Sequence, residues 1–207
     1  MFYGCTSLTS ISLSRANSIV NFQFYGCTSL VSVDVPLAIF VGEDAFSGCT
    51  SLSSVNMPKV ETIYSGAFKN TIITKLSLPS ARILKDAAFS NTRLKNVELP
   101  LAESLGSKLF EANYSLQSLR LGGGEGWAGF TSVNDPFTFN NGYLSSATLY
   151  FPANLPYYDD ANPIYPSTES VTADTWTMVF GSEDNEEIKT FDISEVGHVY
   201  VGDIQIK

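Results

Sequence analysis

Charge is scarce in this sequence. Only 16% of its 207 residues are Asp, Glu, Lys or Arg, and 21 acidic against 12 basic residues leave a net charge of −9. The dense positive field that a phosphate backbone requires is missing, so nucleic acid is not an expected partner. Long apolar runs are missing too: no stretch reaches the about 18 apolar residues of a membrane-spanning helix. The opening Met1-Phe2-Tyr3-Gly4-Cys5 lacks the basic, then apolar, then small-residue order of an export signal. Histidine occurs once, at His198. One imidazole in a strand-like segment, with no nucleophile motif beside it, makes no acid–base pair, and no catalytic residue is expected. Cysteine occurs three times, at Cys5, Cys27 and Cys49, without a Cys-x-x-Cys pair, which leaves no zinc ligand set. Asp159-Asp160 and the acidic run Glu183 to Glu187 lack the spaced oxygens and sharp-turn glycine of an EF-hand loop, and they read as solvated loops. Gly124, Gly126 and Gly129 match a dinucleotide-type glycine pattern, yet no helix start and no βαβ unit surround them. No metal and no cofactor is expected.

What is abundant is repetition. Phe2, Phe24, Phe46, Phe68, Phe89 and Phe110 each open a variant of one phrase, from FYGCTSLVSVDVP through FSGCTSLSSVNMP and FKNTIITKLSLP to FEANYSLQSLRL. Their positions differ by 22, 22, 22, 21 and 21 residues, the fixed step of a solenoid. Inside each repeat, apolar residues alternate, as in Leu30, Val33, Val35 and Leu52, Val55, Met57, which predicts a strand with one buried face. The intervening residues form an outward column along a parallel sheet: Ser10 and Ser12, Ser32 and Asp34, Ser54 and Asn56, Lys75 and Ser77, Asn96 and Glu98, Ser118 and Arg120. Five residues before each phenylalanine sits an aliphatic, Ile19, Val41, Ile63, Leu84 or Leu105, which predicts a shorter extended segment on the other side of the coil. Pro36, Pro58, Pro79 and Pro100 close the long strands, where a missing N–H breaks no ladder.

Gly4, Gly26 and Gly48 suit a corner of positive φ, and Asn70 and Asn91 tolerate it, whereas Ala112 predicts a relaxed turn. The cysteines share one repeat position and should stack as a ladder of small buried thiols, with a bridge between neighbours possible but not required. Together, the phenylalanine, Gly-Cys-Thr-Ser-Leu and Leu-Pro elements resemble the leucine-rich repeats of BspA-like bacterial cell-surface proteins, over Phe2 to about Leu121. The resemblance implies a mainly β solenoid of roughly 22-residue repeats with a parallel sheet and little helix. It further implies an extracellular or surface-attached protein of host-associated bacteria, without enzymatic activity, linked to adhesion to host matrix proteins, host cells or other bacteria.

The repeats and a closing strand, Ala147 to Pro152, assign residues 1–153 to the solenoid, with 122–143 as an insertion loop, and residues 154–207 to a small irregular β cap. Because Phe2 lies in mid-repeat, a fragment of a longer chain is expected, its export signal upstream, with an N-terminal rung open to edge-to-edge self-association. The residues expected to contact a protein partner are Ser32, Asp34, Ser54, Asn56, Lys75, Ser77, Asn96, Glu98, Ser118 and Arg120 on the sheet face. A carbohydrate partner would instead stack on Trp127, Tyr157 and Tyr158, aromatics that could equally pack the cap. A plain structural stalk is the third reading. Asn113-Tyr114-Ser115 fits a glycosylation triplet of the kind that also arises by chance.

Overall fold

The computed structural model describes residues 2–122 throughout, and beyond them the strand backbones of 132–133, 147–151, 176–180, 187–191, 199–201 and 204–206. Long and short strands alternate along the chain: β1 (Ser10–Ser12), β2 (Ser18–Ile19), β3 (Ser32–Asp34), β4 (Phe40–Val41), β5 (Ser54–Asn56), β6 (Thr62–Ile63), β7 (Lys75–Ser77), β8 (Ile83–Leu84), β9 (Asn96–Leu99), β10 (Ser104–Leu105) and β11 (Ser118–Leu121). Then come β12 (Ser132–Val133), β13 (Ala147–Phe151), β14 (Trp176–Phe180), β15 (Glu187–Phe191), β16 (Val199–Val201) and β17 (Ile204–Ile206). No helix occurs among the described residues. The expected solenoid is present: each repeat makes one turn of a coil, with long strands stacked on one side and short strands on the other.

The short strands form one continuous parallel sheet in the order β12-β10-β8-β6-β4-β2. Strand β12 lies within the stretch that the sequence assigns to an insertion loop, and it pairs Ser132 with Ser104. The long side differs from the single sheet expected. It is divided into β1-β3-β5 and β7-β9-β11-β13-β14-β15, with no pairing between β5 and β7. Phe46 precedes Ser54 by eight residues and Phe68 precedes Lys75 by seven, but the same mismatch between Phe89–Asn96 and Phe110–Ser118 leaves β9 and β11 paired, so a corner one residue short does not by itself divide the sheet. The short-strand side absorbs this without interruption, for β6 still pairs Ile63 with Leu84 on β8. Beyond β13, β14 pairs parallel to it and β15 antiparallel to β14, while β16 and β17 pair with each other.

Between the two sides runs the core. Phe24, Phe46, Phe68, Phe89 and Phe110 are fully buried, and their rings stack nearly parallel from rung to rung at 5.3 to 5.8 Å. Such stacking adds about 0.5–1.5 kcal/mol per pair beyond the burial itself. The backbone repeats with them: Phe24, Phe46 and Phe68 each donate an N–H to an alanine carbonyl on the next rung, at Ala45, Ala67 and Ala88. The short-strand aliphatics Ile19, Val41, Ile63, Leu84 and Leu105 close the other side, all at 0% exposure.

The corner after each phenylalanine keeps one backbone conformation. Gly26 has φ 67°, Asn70 60°, Asn91 52° and Ala112 57°. The relaxed turn expected at Ala112 does not form: its φ is as left-handed as that of Gly26, and the preceding Glu111 carbonyl accepts from the Asn91 N–H. A second left-handed column, Phe22, Asp44, Gly66, Ala87 and Lys108, lies two residues before each phenylalanine. No residue type marks it, which is why the sequence does not reveal it.

Candidate recognition surface

Alternation on the long strands places the ten expected contact residues on one face. Ser54, Asn56, Lys75, Ser77, Asn96 and Glu98 are exposed, and Ser32, Asp34, Ser118 and Arg120 are partly exposed. Register aligns them in two columns, Ser10–Ser32–Ser54 and Ser12–Asp34–Asn56 on the first sheet, then Lys75–Asn96–Ser118 and Ser77–Glu98–Arg120 on the second. Adjacent rungs are separated by the roughly 4.8 Å of paired strands, so neighbouring side chains can bond along the column. Asp34 is clamped this way: the Ser12 hydroxyl donates to its Oδ2 at 3.0 Å and the Asn56 amide to its Oδ1 at 2.7 Å. Ser118 Oγ donates to Asn96 Oδ1 at 2.7 Å. These bonds fix side-chain positions before any partner arrives, reducing the rotamer entropy lost on binding. The break between β5 and β7 divides the face into a Ser/Asp/Asn half and a half that carries Lys75, Glu98 and Arg120.

The remaining sequence candidates fall elsewhere. Trp127, Tyr157, Tyr158, His198 and both acidic clusters lie outside the described residues. Among the described residues no group of His, Cys, Asp and Glu could hold a metal ion, and no helix is long and apolar enough to cross a membrane. Asn113 cannot carry a glycan, because it is fully buried and its Nδ2 donates to the Phe89 carbonyl at 2.6 Å.

The thiols are free, Cys27 and Cys49 buried and Cys5 exposed, so the buried ladder has two members rather than three. Cys27 Sγ donates to the Phe2 carbonyl at 2.9 Å and Cys49 Sγ to that of Phe24 at 3.0 Å. Later repeats place a polar side chain at the same position. Thr71 Oγ1 donates to the Phe68 carbonyl, Thr92 Oγ1 to Asn113 Oδ1, and Asn113 in turn to Phe89. The cysteine position is therefore a buried donor that satisfies backbone carbonyls, and the loss of Gly-Cys in later repeats keeps that role. Burial pushes the Cys49 thiol up to about 12 and raises that of Cys27 as well, so neither is a nucleophile at neutral pH.

One surface feature escapes the sequence reading. Val20, Leu37, Ile39, Phe40 and Tyr64 are exposed on the short-strand side of the first three repeats. Phe40 and Tyr64 meet edge to face at 6.2 Å. The signal was the unbroken apolar run Leu37-Ala38-Ile39-Phe40-Val41, in which a two-residue strand can bury only one side chain in two.

Comparison with known proteins follows the same geometry. A family model described as the BspA type leucine rich repeat region matches residues 17–126 in 6 copies. Among solved structures, a leucine-rich repeat protein from Bacteroides ovatus superposes with a TM-score of 0.56 at 20% identity, over 87% of this chain and 53% of that one, a likeness of fold. A leucine rich repeat protein of T. pallidum gives 0.49 at 27% identity over 55% of this chain and 59% of its own. A leucine rich cell surface protein of Faecalibacterium prausnitzii gives 0.41 at 17% identity over 72% and 56%. The chain thus spans a little over half the length of each of these structures. No curated protein matches it.

Proposed function

The chain belongs to the BspA-type leucine-rich repeat family, whose model covers more than half of it, and from that premise we propose that it is a non-catalytic recognition module of a bacterial cell-surface or secreted protein, binding a protein partner through the face of its long strands. One observation carries this reading. In each repeat the phenylalanine, the aliphatics and the cysteine or its polar replacement go to the core and the left-handed residues turn the corners, which leaves the outward column of the long strands exposed and pre-positioned in register. A rigid, extended face of mixed hydroxyl, amide and charged groups suits a large partner better than a small molecule, which needs a concave apolar pocket. Adhesion to host matrix or cell-surface proteins is the form of recognition that the family resemblance favours.

The test is a binding screen of the 207-residue chain against extracellular-matrix proteins alongside a glycan array. A protein ligand is expected, and its affinity should fall at least tenfold in the face variant Asn56→Arg/Glu98→Arg/Arg120→Glu, since hot-spot contacts each carry more than about 1.4 kcal/mol. Binding confined to glycans, or protein binding indifferent to those three substitutions, would sink the proposal. Silence on both would favour the stalk.

A further inference from the structure

Positive charge is concentrated in the fourth to sixth repeats. Eight of the 12 basic residues lie between Phe68 and Leu121, against four acidic ones, in a chain of net charge −9. Three of these cations converge where β7 and β9 begin. Lys75 opens β7 and pairs with Asn96 on β9. The Lys95 N–H donates to the Thr74 carbonyl at 3.2 Å and the Arg93 N–H to the Ile73 carbonyl at 3.1 Å, so both are bonded to the two peptides just before Lys75. All three residues are exposed, and none forms an ion pair among the described residues, whereas Arg82 and Lys108 pair with Glu103 and Glu111. Earlier repeats place only Ser, Thr or Val at the corresponding positions, Thr9, Val31 and Ser53, and Ser10, Ser32 and Ser54, so the coil does not need these cations to form.

The acids of these rungs are engaged or set apart. Asp86 accepts the Ser107 N–H and Glu103 pairs with Arg82, while Glu111 accepts from Ser90 and lies 3.7 Å from the Lys108 ammonium. Glu98 alone shares the face, two residues past Asn96 on β9 and in register with Ser77 and Arg120. Asn96 adds a donor to the cations. Its Oδ1 accepts from the Ser118 hydroxyl at 2.7 Å, which leaves the N–H bonds of its Nδ2 without a partner among the described residues, beside Lys75. The other half of the face has the reverse polarity, for there the Asn56 amide donates to Asp34 and the charge is negative.

We propose that Lys75, Arg93, Lys95 and the Asn96 amide form a carboxylate-binding site that takes a short acidic segment of the protein partner. The inference rests on the reading above for the class of partner and adds its chemistry. The Arg93 guanidinium offers the forked pair of N–H groups that matches one carboxylate, and the two ammonium groups act as point charges for others. Extent favours a peptide over a polyanionic glycan. Two rungs about 4.8 Å apart, with the reach of their side chains, match about three or four residues of an extended peptide. A longer polyanion would run past the site onto a chain whose net charge is −9.

Titration of fluorescently labelled hexaglutamate with the 207-residue chain tests it, alongside a heparin hexasaccharide as the competing class. Hexaglutamate should bind, and more weakly as salt rises. Lys75→Glu/Arg93→Glu/Lys95→Glu should weaken it by tenfold or more, whereas Arg15→Glu/Lys59→Glu/Lys85→Glu, the same change of charge elsewhere on the coil, should leave it within about threefold. Asn96→Asp, which replaces the amide donor with a like charge, should weaken binding, and Glu98→Gln, which removes the acid of the face, should strengthen it. These positions are exposed, and unchanged circular dichroism melts show that the fold survives. No binding of hexaglutamate, equal loss in both triple variants, or a site that takes the heparin hexasaccharide and not hexaglutamate overturns the inference. None of these results decides the matrix screen, which reads Asn56, Glu98 and Arg120. A protein ligand found there that ignores Lys75→Glu/Arg93→Glu/Lys95→Glu overturns this inference and leaves the function proposed above standing.

Discussion

At the residue scale, two kinds of position bear weight out of proportion to their size. The first is the buried donor after each phenylalanine. Cys49 sits with its thiol against the Phe24 carbonyl, and burial raises it from an ordinary 9.0 to about 12. The raised value means that the folded chain holds its proton more tightly than the unfolded one. The stabilisation is therefore complete below pH 9.0 and declines as pH climbs toward about 12. Urea midpoints should fall over that window in the wild type, and less so in Cys49→Ala. At neutral pH, maleimide should label the exposed Cys5 well before Cys27 or Cys49. The second kind is the left-handed corner. Ala112 holds φ 57° with a Cβ that Gly26 and Gly48 do not carry. Relief of roughly 1–2 kcal/mol of strain, less the roughly 0.5–1 kcal/mol of extra backbone entropy that glycine loses, predicts that Ala112→Gly stabilises by about 0.5–1 kcal/mol in urea unfolding. Gly48→Ala should do the reverse, through φ alone, because nothing lies closer than 3.8 Å to the added carbon.

At the element scale the unit is the ladder between rungs. Leu13 N–H bonds to the Asp34 carbonyl at 2.8 Å and Val35 N–H to that of Asn56 at 3.0 Å, but Met57, at the same position in the next repeat, meets the gap between β5 and β7. Its amide should exchange with deuterium faster than that of Val35, as followed by NMR; equal protection would mean that the two sheets pair in solution. This gap shows where sequence reasoning works and where it stops. The alternation Leu52, Val55, Met57 and the spacing of Ile19, Val41 and Ile63 located the six long strands and the first five short strands, though not β12, because burial on one face imposes a period that composition must obey. The one-residue deletion before Lys75 was visible as a step of 21, but its effect was not. The same mismatch between the fifth and sixth repeats leaves β9 and β11 paired, so corner length read from the sequence does not decide whether a ladder breaks. The columns Phe22, Asp44, Gly66, Ala87 and Lys108 were hidden for a related reason: hydrogen bonds between rungs impose φ on them, so residue type carries no mark.

On the scale of the molecule, the coil presents two faces of different character. The long-strand face is polar, in register and partly cross-linked by its own side chains, as at Asp34. The short-strand face carries Ile39 and Phe40 in the open. The first was legible because outward residues of an alternating strand are given by subtraction once the core is known. The second was not, because exposure on a two-residue strand depends on where the coil bends. The divided long sheet has a further, mechanical consequence. On the cell surface proposed above, flowing liquid would pull the chain, and a tension along the stack would load its rungs in series. Most junctions share that load among the long-strand ladder, the short-strand ladder and the phenylalanine corner, whereas at the junction between the third and fourth repeats the long side contributes only the bond from the Ile72 N–H to the Leu52 carbonyl. That junction would yield first, parting the coil at one defined place instead of fraying it from an end.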